Sequence, residues 1–490
     1  MVRASDLTDT ASAAVSRATS RLGDLVTPTI RLGVTGLARA GKTVFITSLV
    51  RNLLEGGSLP FFPAYADGRI AKAYLEPQPD DNLPRFAYEE HLAALAGDPP
   101  LWPESTKRIS QLRLTLEYET ESSWRWLLGG RRLHVDIVDY PGEWLLDLPL
   151  LSLDYRAWSA SALALAQAPQ RAMVAKPWLD FVAGVEANAP ADEQRAIAGA
   201  RLFRDYLVAA SALKYAQSTL PPGRFLLPGE LEGSPLLTFC PLALEGDARP
   251  PRGSLADMMA RRFESYKEHV VKPFFRVHFS RLDRQIVLVD VLSALNGGSA
   301  AIADLERALA EILTCFRPGA QSWLAPLLGR RIDRIVFAAT KADQLHHASH
   351  DRLEAILDRL LATAIARAKF AGADTKVLAL AAIRSTREAE MRSGAERLPV
   401  IVGVPMPGTR VGGDTFDGLR EAAIFPGDLP EDPEVALAAA RGPQASAAGI
   451  EIVDFRPPRL RVSAATGTSR PPPHIRLDRA IDFLIGDGLA

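Results

Sequence analysis

The run Gly36-Leu37-Ala38-Arg39-Ala40-Gly41-Lys42-Thr43 has the residue types and spacing of a loop that wraps a phosphate chain. Backbone N–H groups from Ala38 to Thr43 can curl round a β-phosphate at the positive end of a following helix, and the glycines permit that curl. Lys42 would place a point charge between β- and γ-phosphates, and the Thr43 hydroxyl would sit on a Mg²⁺ ion. We therefore expect Gly36, Ala38, Arg39, Ala40, Gly41, Lys42, Thr43 and Val44 to contact a nucleoside polyphosphate.

Two further motifs stand downstream. Asp139-Tyr140-Pro141-Gly142 offers a carboxylate that can hold Mg²⁺ and, in Gly142, an N–H that can sense a γ-phosphate. Thr340-Lys341-Ala342-Asp343 offers a carboxylate that can pair with N1–H and the 2-amino group of guanine, donors that adenine lacks. Ala382 and Ile383 end the next apolar run, where a backbone N–H can support the guanine O6. The metal-binding threonine of a first switch segment should precede the strand that begins near Arg108, which selects Thr106. His346 and His350 stand four apart with no acidic or Cys partner beside them in sequence, so a solvated helix end is the expectation there. Trp124 and Trp126 read as packing or partner contacts.

The elements that must hold these motifs alternate between strand and helix patterns, which implies an α/β fold with a mostly parallel sheet flanked by helices. Thr29–Thr35 reads as the strand before the phosphate loop, and Val44–Leu54 as the helix after it. Arg108–Tyr118 and Arg132–Asp139 read as an antiparallel hairpin round Gly129-Gly130. Further strands are expected at 285–291, 334–340 and 376–381, and a closing amphipathic helix at Leu477–Ile485. Residues 55–103 read as a functional or inserted stretch. A helical insertion is expected at 154–280, with helices near 156–167, 191–215 and 255–271. A smaller β-rich insertion is expected at 387–470, with strands at 398–404 and 450–455. The nucleotide-binding core would then be 29–153, 281–386 and 471–490, with residues 1–28 as an N-terminal helix.

Composition narrows the class. The chain has 490 residues, and its 57 Lys and Arg nearly cancel its 58 Asp and Glu, so no broad nucleic-acid surface is expected. No apolar run reaches the roughly eighteen residues a membrane span needs. Cys240 and Cys315 are too few and too far apart for a disulfide framework, which fits a reducing compartment.

The three motifs in this order look like a translation-factor- or Ras-type GTPase core. Together with Leu133–Leu151 and Val289–Asn296 they are similar to the YcjX-like family of bacterial P-loop proteins, nearly end to end. The resemblance implies a Ras-like P-loop NTPase with large insertions, GTP or GDP and Mg²⁺ as ligands, slow GTP hydrolysis and a link to stress response. It also implies a cytoplasmic location open to peripheral contact with the inner membrane, and an unidentified protein effector, a membrane-associated one among the options. Two positions depart from standard GTPases. Glu143 stands where many have Gln or His to position the attacking water. Arg39 occupies the loop position from which some recruit a monovalent cation, and its guanidinium could supply that charge in cis. Lys42, Glu143 and Arg39 are thus the catalytic candidates. An ATP-using P-loop enzyme and a nucleotide-bound scaffold without turnover stay open as alternatives.

Overall fold

The computed structural model describes residues 27–36, 39–104, 108–120, 131–213, 221–246, 248–314, 332–370, 372–393, 396–411, 413–441, 452–460 and 470–490. The expected N-terminal helix, Thr106, Gly129-Gly130, Trp124, Trp126 and Cys315 lie outside these residues.

A seven-stranded sheet organises the chain in the order β2-β3-β4-β1-β5-β6-β7. Its strands are β1 (Thr29–Gly36), β2 (Ile70–Glu76), β3 (Ser110–Tyr118), β4 (Arg131–Asp139), β5 (Arg284–Val289), β6 (Arg334–Ala339) and β7 (Asp374–Ala379). From β4 across to β7 every pairing is parallel. β2, β3 and β4 pair antiparallel, so the expected hairpin is present. The whole is an α/β sheet flanked by helices, as expected.

Period-two side-chain alternation explains why both faces are covered. Ile286 and Leu288 of β5 and Val336 and Ala338 of β6 pack on one face with Phe45, Ile46, Leu49, Leu477, Ile481 and Leu484. Those last residues belong to the helices Lys42–Glu55 and Leu477–Ile485, the latter at the expected bounds. Val287, Val289, Ile335, Phe337 and Ala339 face the other way, into a cluster shared with Trp158, Trp178, Phe203, Phe263, Leu353 and Leu357. In that layer Trp158 stacks on Phe263 with centroids 4.7 Å apart, and Trp178 on Tyr206 at 5.3 Å. The helices of residues 153–282 and the back of the sheet thus form one continuous core.

Several expectations shift. The stretch 55–103 contains the edge strand β2 and the helix Tyr88–Ala96. Only two residues of β2 are fully exposed and none is fully buried, so its sequence lacks clean alternation. Pro169 opens the helix Pro169–Gly184, where its missing N–H costs nothing in the first turn. The helix Leu255–Tyr266 passes through a π-turn at Lys267–Val271. The strand expected at 376–381 lies two residues earlier. A second, three-stranded sheet pairs β8 (Arg387–Ser393) with β9 (Glu396–Gly403), and β9 with Ala422–Ile424. Of the strand expected at 450–455, residues 452–455 form no ladder and make one isolated bridge, Pro405 to Phe455.

Phe337 is fully buried on β6 between sheet and helices. Phe337→Ala should lower the unfolding free energy by about 3–5 kcal/mol, read from the urea midpoint at constant m. A shift under about 1 kcal/mol would show that this face tolerates collapse far better than its packing implies.

Candidate functional site

Strand order reverses at β1, whose neighbours β4 and β5 lie on opposite sides, and a crevice opens at the carboxyl ends of the strands there. Gly36 ends β1 against β5. A Cβ on Gly36 would fall 2.8 Å from the Leu288 carbonyl oxygen, so only glycine lets the loop leave the sheet there. Gly41 has φ 83°, the left-handed conformation that glycine adopts without strain, and from it the helix Lys42–Glu55 starts. Lys42 Nζ donates to the Gly36 carbonyl at 3.2 Å, which folds its ammonium back over the loop. The Thr43 hydroxyl donates to the Glu104 carbonyl at 3.2 Å, placing the chain that leads toward Thr106 beside the start of this helix. Arg39 is exposed, with φ 62°. Ala38 lies outside the described residues.

Across the crevice, Thr340–Gln344 leaves β6. The Thr340 N–H donates to the Val289 carbonyl at 2.9 Å, and Lys341 adopts φ 61°. The Lys341 ammonium lies 2.8 Å from Asp290 and 3.2 Å from Asp454. Burial pulls its pKa down, and the two carboxylates more than reverse this and hold it above its ordinary value. Asp343 is buried, and its Oδ2 accepts from the Ser385 N–H at 2.8 Å and from the Ser385 hydroxyl. Burial raises the Asp343 carboxyl above the usual range, and the two Ser385 donors offset part of that rise. Ser385 follows Ala382 and Ile383, and the Ala382 carbonyl accepts from the Ser48 hydroxyl at 2.5 Å.

A cavity of about 360 Å³ joins these pieces. It is lined by Arg39 to Phe45 of the phosphate-loop region, Thr340, Lys341, Asp343 and Gln344, and Leu380 to Ile383 with Ser385. Its size is within the range of small-ligand sites, about 300–1,000 Å³. Trp102, Pro103, Met406, Asp454 and Phe455 complete its wall. None of these five carried a local sequence signal. Ser385 did, since a buried carboxylate at 343 needs donors and a hydroxyl just past Ile383 is placed to supply them.

Asp139, Gly142 and Glu143 are not among the described residues lining that cavity. Asp139 is buried at the end of β4, opposite Val34 in the β1 register. Gly142–Ser152 is a 3₁₀ segment drawn toward the helical layer. The Trp144 indole N–H donates to the Leu227 carbonyl at 3.1 Å, and the Arg224 guanidinium lies 3.2 Å over the Trp144 ring. Asp147 accepts from the Gly223 N–H at 2.6 Å and the Tyr266 hydroxyl at 2.5 Å. These contacts explain why Glu143, half-buried, stands back from the phosphate-loop cavity.

The histidines do not form the solvated helix end that was expected. His350 is buried, with Nε2 2.9 Å from the Ala342 carbonyl, whereas His346 and His347 approach Glu388 of β8 at 3.6 and 2.5 Å. Arg384 holds the other Glu388 oxygen at 2.9 Å, so this cluster ties the 340–347 loop to the 384–388 segment. Cys240 is buried, and burial pushes its thiol up to about 12.

A profile of the YcjX-like family, DUF463, matches residues 30–489. The chain belongs to the YcjX-like family. It is 37% identical to a protein of Escherichia coli (strain K12) named Ras-like GTPase YcjX, over 475 residues that cover 94% of this chain and 96% of that one. It is 34% identical to a protein of the same name from Shewanella oneidensis (strain MR-1), over 490 residues and 94% of each. Family membership agrees with the resemblance carried by the three motifs and with the Ras-like sheet order. No helix among the described residues is long and apolar enough to cross a membrane.

Burial pushes the Asp147 carboxyl up to about 6, from an ordinary 3.8. A carboxyl raised on folding favours the folded state below about pH 4, and that contribution is lost as pH rises through about 6, for a total of about 3 kcal/mol. The unfolding free energy of the parent minus that of Asp147→Asn should therefore fall by about this amount between pH 4 and 7. A pH-independent difference in urea titrations would mean that Asp147 is fully ionised in the fold.

Proposed function

We propose that this chain is a guanine-nucleotide-binding P-loop protein that hydrolyses GTP to GDP slowly and uses the two states as a switch. The observation that carries the reading is the shared cavity. It brings the phosphate loop within one nucleotide's reach of Asp343, whose carboxylate Ser385 holds in place. A buried carboxylate that already spends one oxygen on Ser385 can offer the other to the paired donors of guanine, and adenine has no such pair. Ala382 and Ile383 would meet the guanine O6. The relatives named Ras-like GTPase point the same way.

Thr43, Asp139 and Thr106 would hold Mg²⁺, since their donors are hard oxygens of the kind that ion prefers. The ion would supply charge neutralisation to the β- and γ-phosphates. Gly36, Ala38, Ala40, Gly41 and Val44 would shape and supply the backbone cradle, and Lys42 would place its ammonium on the phosphates. Gly142 would report the γ-phosphate through its N–H, and the 3₁₀ segment behind it would pass that state through Trp144 and Asp147 to the helices. In this reading residues 29–153, 281–386 and 471–490 are the nucleotide-binding core, 154–280 a helical insertion that reads the switch, and 387–470 a β-rich insertion. The setting would be the cytoplasm, with a stress-linked protein effector and peripheral contact with the inner membrane.

Asp343→Asn should move preference from guanosine toward xanthosine diphosphate by about a hundredfold or more, because the 2-oxo group of xanthine accepts where guanine donates. Fluorescence titrations with GDP, XDP and ADP measure it, and an unchanged ratio, or ADP that displaces GDP, would overturn the guanine assignment.

Turnover tests the catalytic roles separately. If Arg39 supplies a cis charge near the β,γ-bridge, hydrolysis should not depend on K⁺, and Arg39→Ala should lower kcat by about a thousandfold with little change in affinity. If Gly142–Glu143 closes on bound GTP, Glu143→Gln should leave kcat equal or raise it, because it would replace a carboxylate that repels the γ-phosphate with a water-orienting amide. Parental kcat in Arg39→Ala would return that residue to solvent, and collapse of turnover in Glu143→Gln would make Glu143 a general base.

A further inference from the structure

Part of the base end of the cavity is closed by a chain segment far from every motif. Val453 to Arg456 runs beside the end of β9. The Met406 N–H donates to the Asp454 carbonyl at 2.9 Å, the Arg456 N–H donates to the Val404 carbonyl at 2.8 Å, and Phe455 bridges Pro405. From this strap the exposed Asp454 carboxylate reaches across to the base loop. Its Oδ1 accepts from Lys341 at 3.2 Å and from Gln344 Nε2 at 2.9 Å. Gln344 Oε1 is buried and makes no hydrogen bond among the described residues, although Gln344 lines the cavity.

Phe455 is buried with Ile401, Ile424 and Val453, and it fits only because residue 403 is glycine. A Cβ there would fall 2.8 Å from the Phe455 ring. On the other side the Trp102 indole N–H donates to the Phe455 carbonyl at 2.7 Å, two residues before the Glu104 carbonyl that accepts from Thr43. The strap is thus fastened to the base loop by Asp454, to β9 by its backbone and to residues 102–104 by Trp102.

We propose that Asp454 and Phe455 are positioning residues of the nucleotide site, and that the Val453–Arg456 strap must lift from Lys341 and Gln344 for the nucleotide to enter or leave. This rests on the guanine-nucleotide reading above. A base seated against Asp343 occupies the space walled by the 340–344 loop on one side and the strap on the other, so exchange requires the Asp454 contacts and the Trp102 hydrogen bond to break together. The small polar contacts that close the strap, three in all with partly exposed partners, set a barrier to passage in both directions and contribute less to the affinity itself.

The test is stopped-flow binding and displacement of N-methylanthraniloyl-GDP on the full chain, with Asp454→Ala, Gly403→Ala and Trp102→Phe. Gly403→Ala displaces Phe455 but its Cβ also comes 3.2 Å from the Ser385 carbonyl, so Asp454→Ala, which changes an exposed side chain, is the variant that reads the strap apart from the Asp343 support and keeps the test valid if the glycine variant folds poorly. A strap that gates exchange predicts that association and dissociation rate constants both rise about tenfold in Asp454→Ala and Gly403→Ala, and less in Trp102→Phe, while Kd changes under about threefold. Parental rate constants in the variants, with wild-type protein binding the probe, would overturn the strap alone. So would a rise confined to dissociation, which would reduce Asp454 and Phe455 to ordinary contacts. Wild-type protein that binds no probe would overturn the guanine reading and the strap with it.

Discussion

The carboxyl end of β1 has no room for a side chain, and the placement of the site follows from that constraint. β1 is the central strand at which the sheet order reverses, and its last residue lies against the backbone of Leu288 in β5. With Gly36 there, the chain can turn off the sheet at once, spend its left-handed conformation at Gly41 and enter the helix Lys42–Glu55 with N–H groups aimed into the crevice. A side chain would push the loop away from the Val289–Asp290 and Thr340–Asp343 segments it must face. The distance between phosphate loop and base loop is thereby set by strand packing, the most rigid relationship in the molecule.

Electrostatics then sorts the crevice into two ends. Lys42 and the helix N-terminus make the loop end positive, while the opposite end holds carboxylates, each with a donor assigned to it: Ser385 for Asp343, Lys341 for Asp290 and Asp454. Burial favours the protonated form of a carboxylate that lacks such donors, and in the proposed guanine site a protonated Asp343 would present an O–H where an acceptor is needed. Ser385 therefore matters to the chemistry although it need not touch a ligand.

Much of the fold was legible because it is local. Apolar alternation in β3, continuous apolar runs in β5 and β6, the glycines and lysine of the loop, and the closing helix Leu477–Ile485 each declare themselves within about ten residues. The edge strand β2 was not legible, since a half-exposed edge carries no clean alternation. In the site, the residues of the phosphate loop and of Thr340–Asp343 line the cavity as groups, whereas Asp454, Phe455, Met406 and Trp102 arrive from segments remote in sequence, Trp102 meeting Phe455 across 353 positions. No spacing rule encodes such a meeting. The position of Gly142 and Glu143 was hidden for the same reason. Trp144 and Asp147 are anchored by Arg224, Gly223 and Tyr266, whose relation to them exists only in the folded chain.

The aromatic layer of residues 153–282 has a mechanical consequence. Trp158, Trp178, Phe203 and Phe263 belong to the same packed cluster as Val287, Val289 and Phe337 on the back of the sheet. Peeling that layer away would expose the rear of the central strands, so it cannot swing open as a tethered module does. In the proposed switch, a motion that starts at the 3₁₀ segment Gly142–Ser152 would travel through it as a sliding of packed helices, small in amplitude and shared by the whole layer. The helices behave less like an arm hung on the sheet than like a gearbox bolted to its back plate.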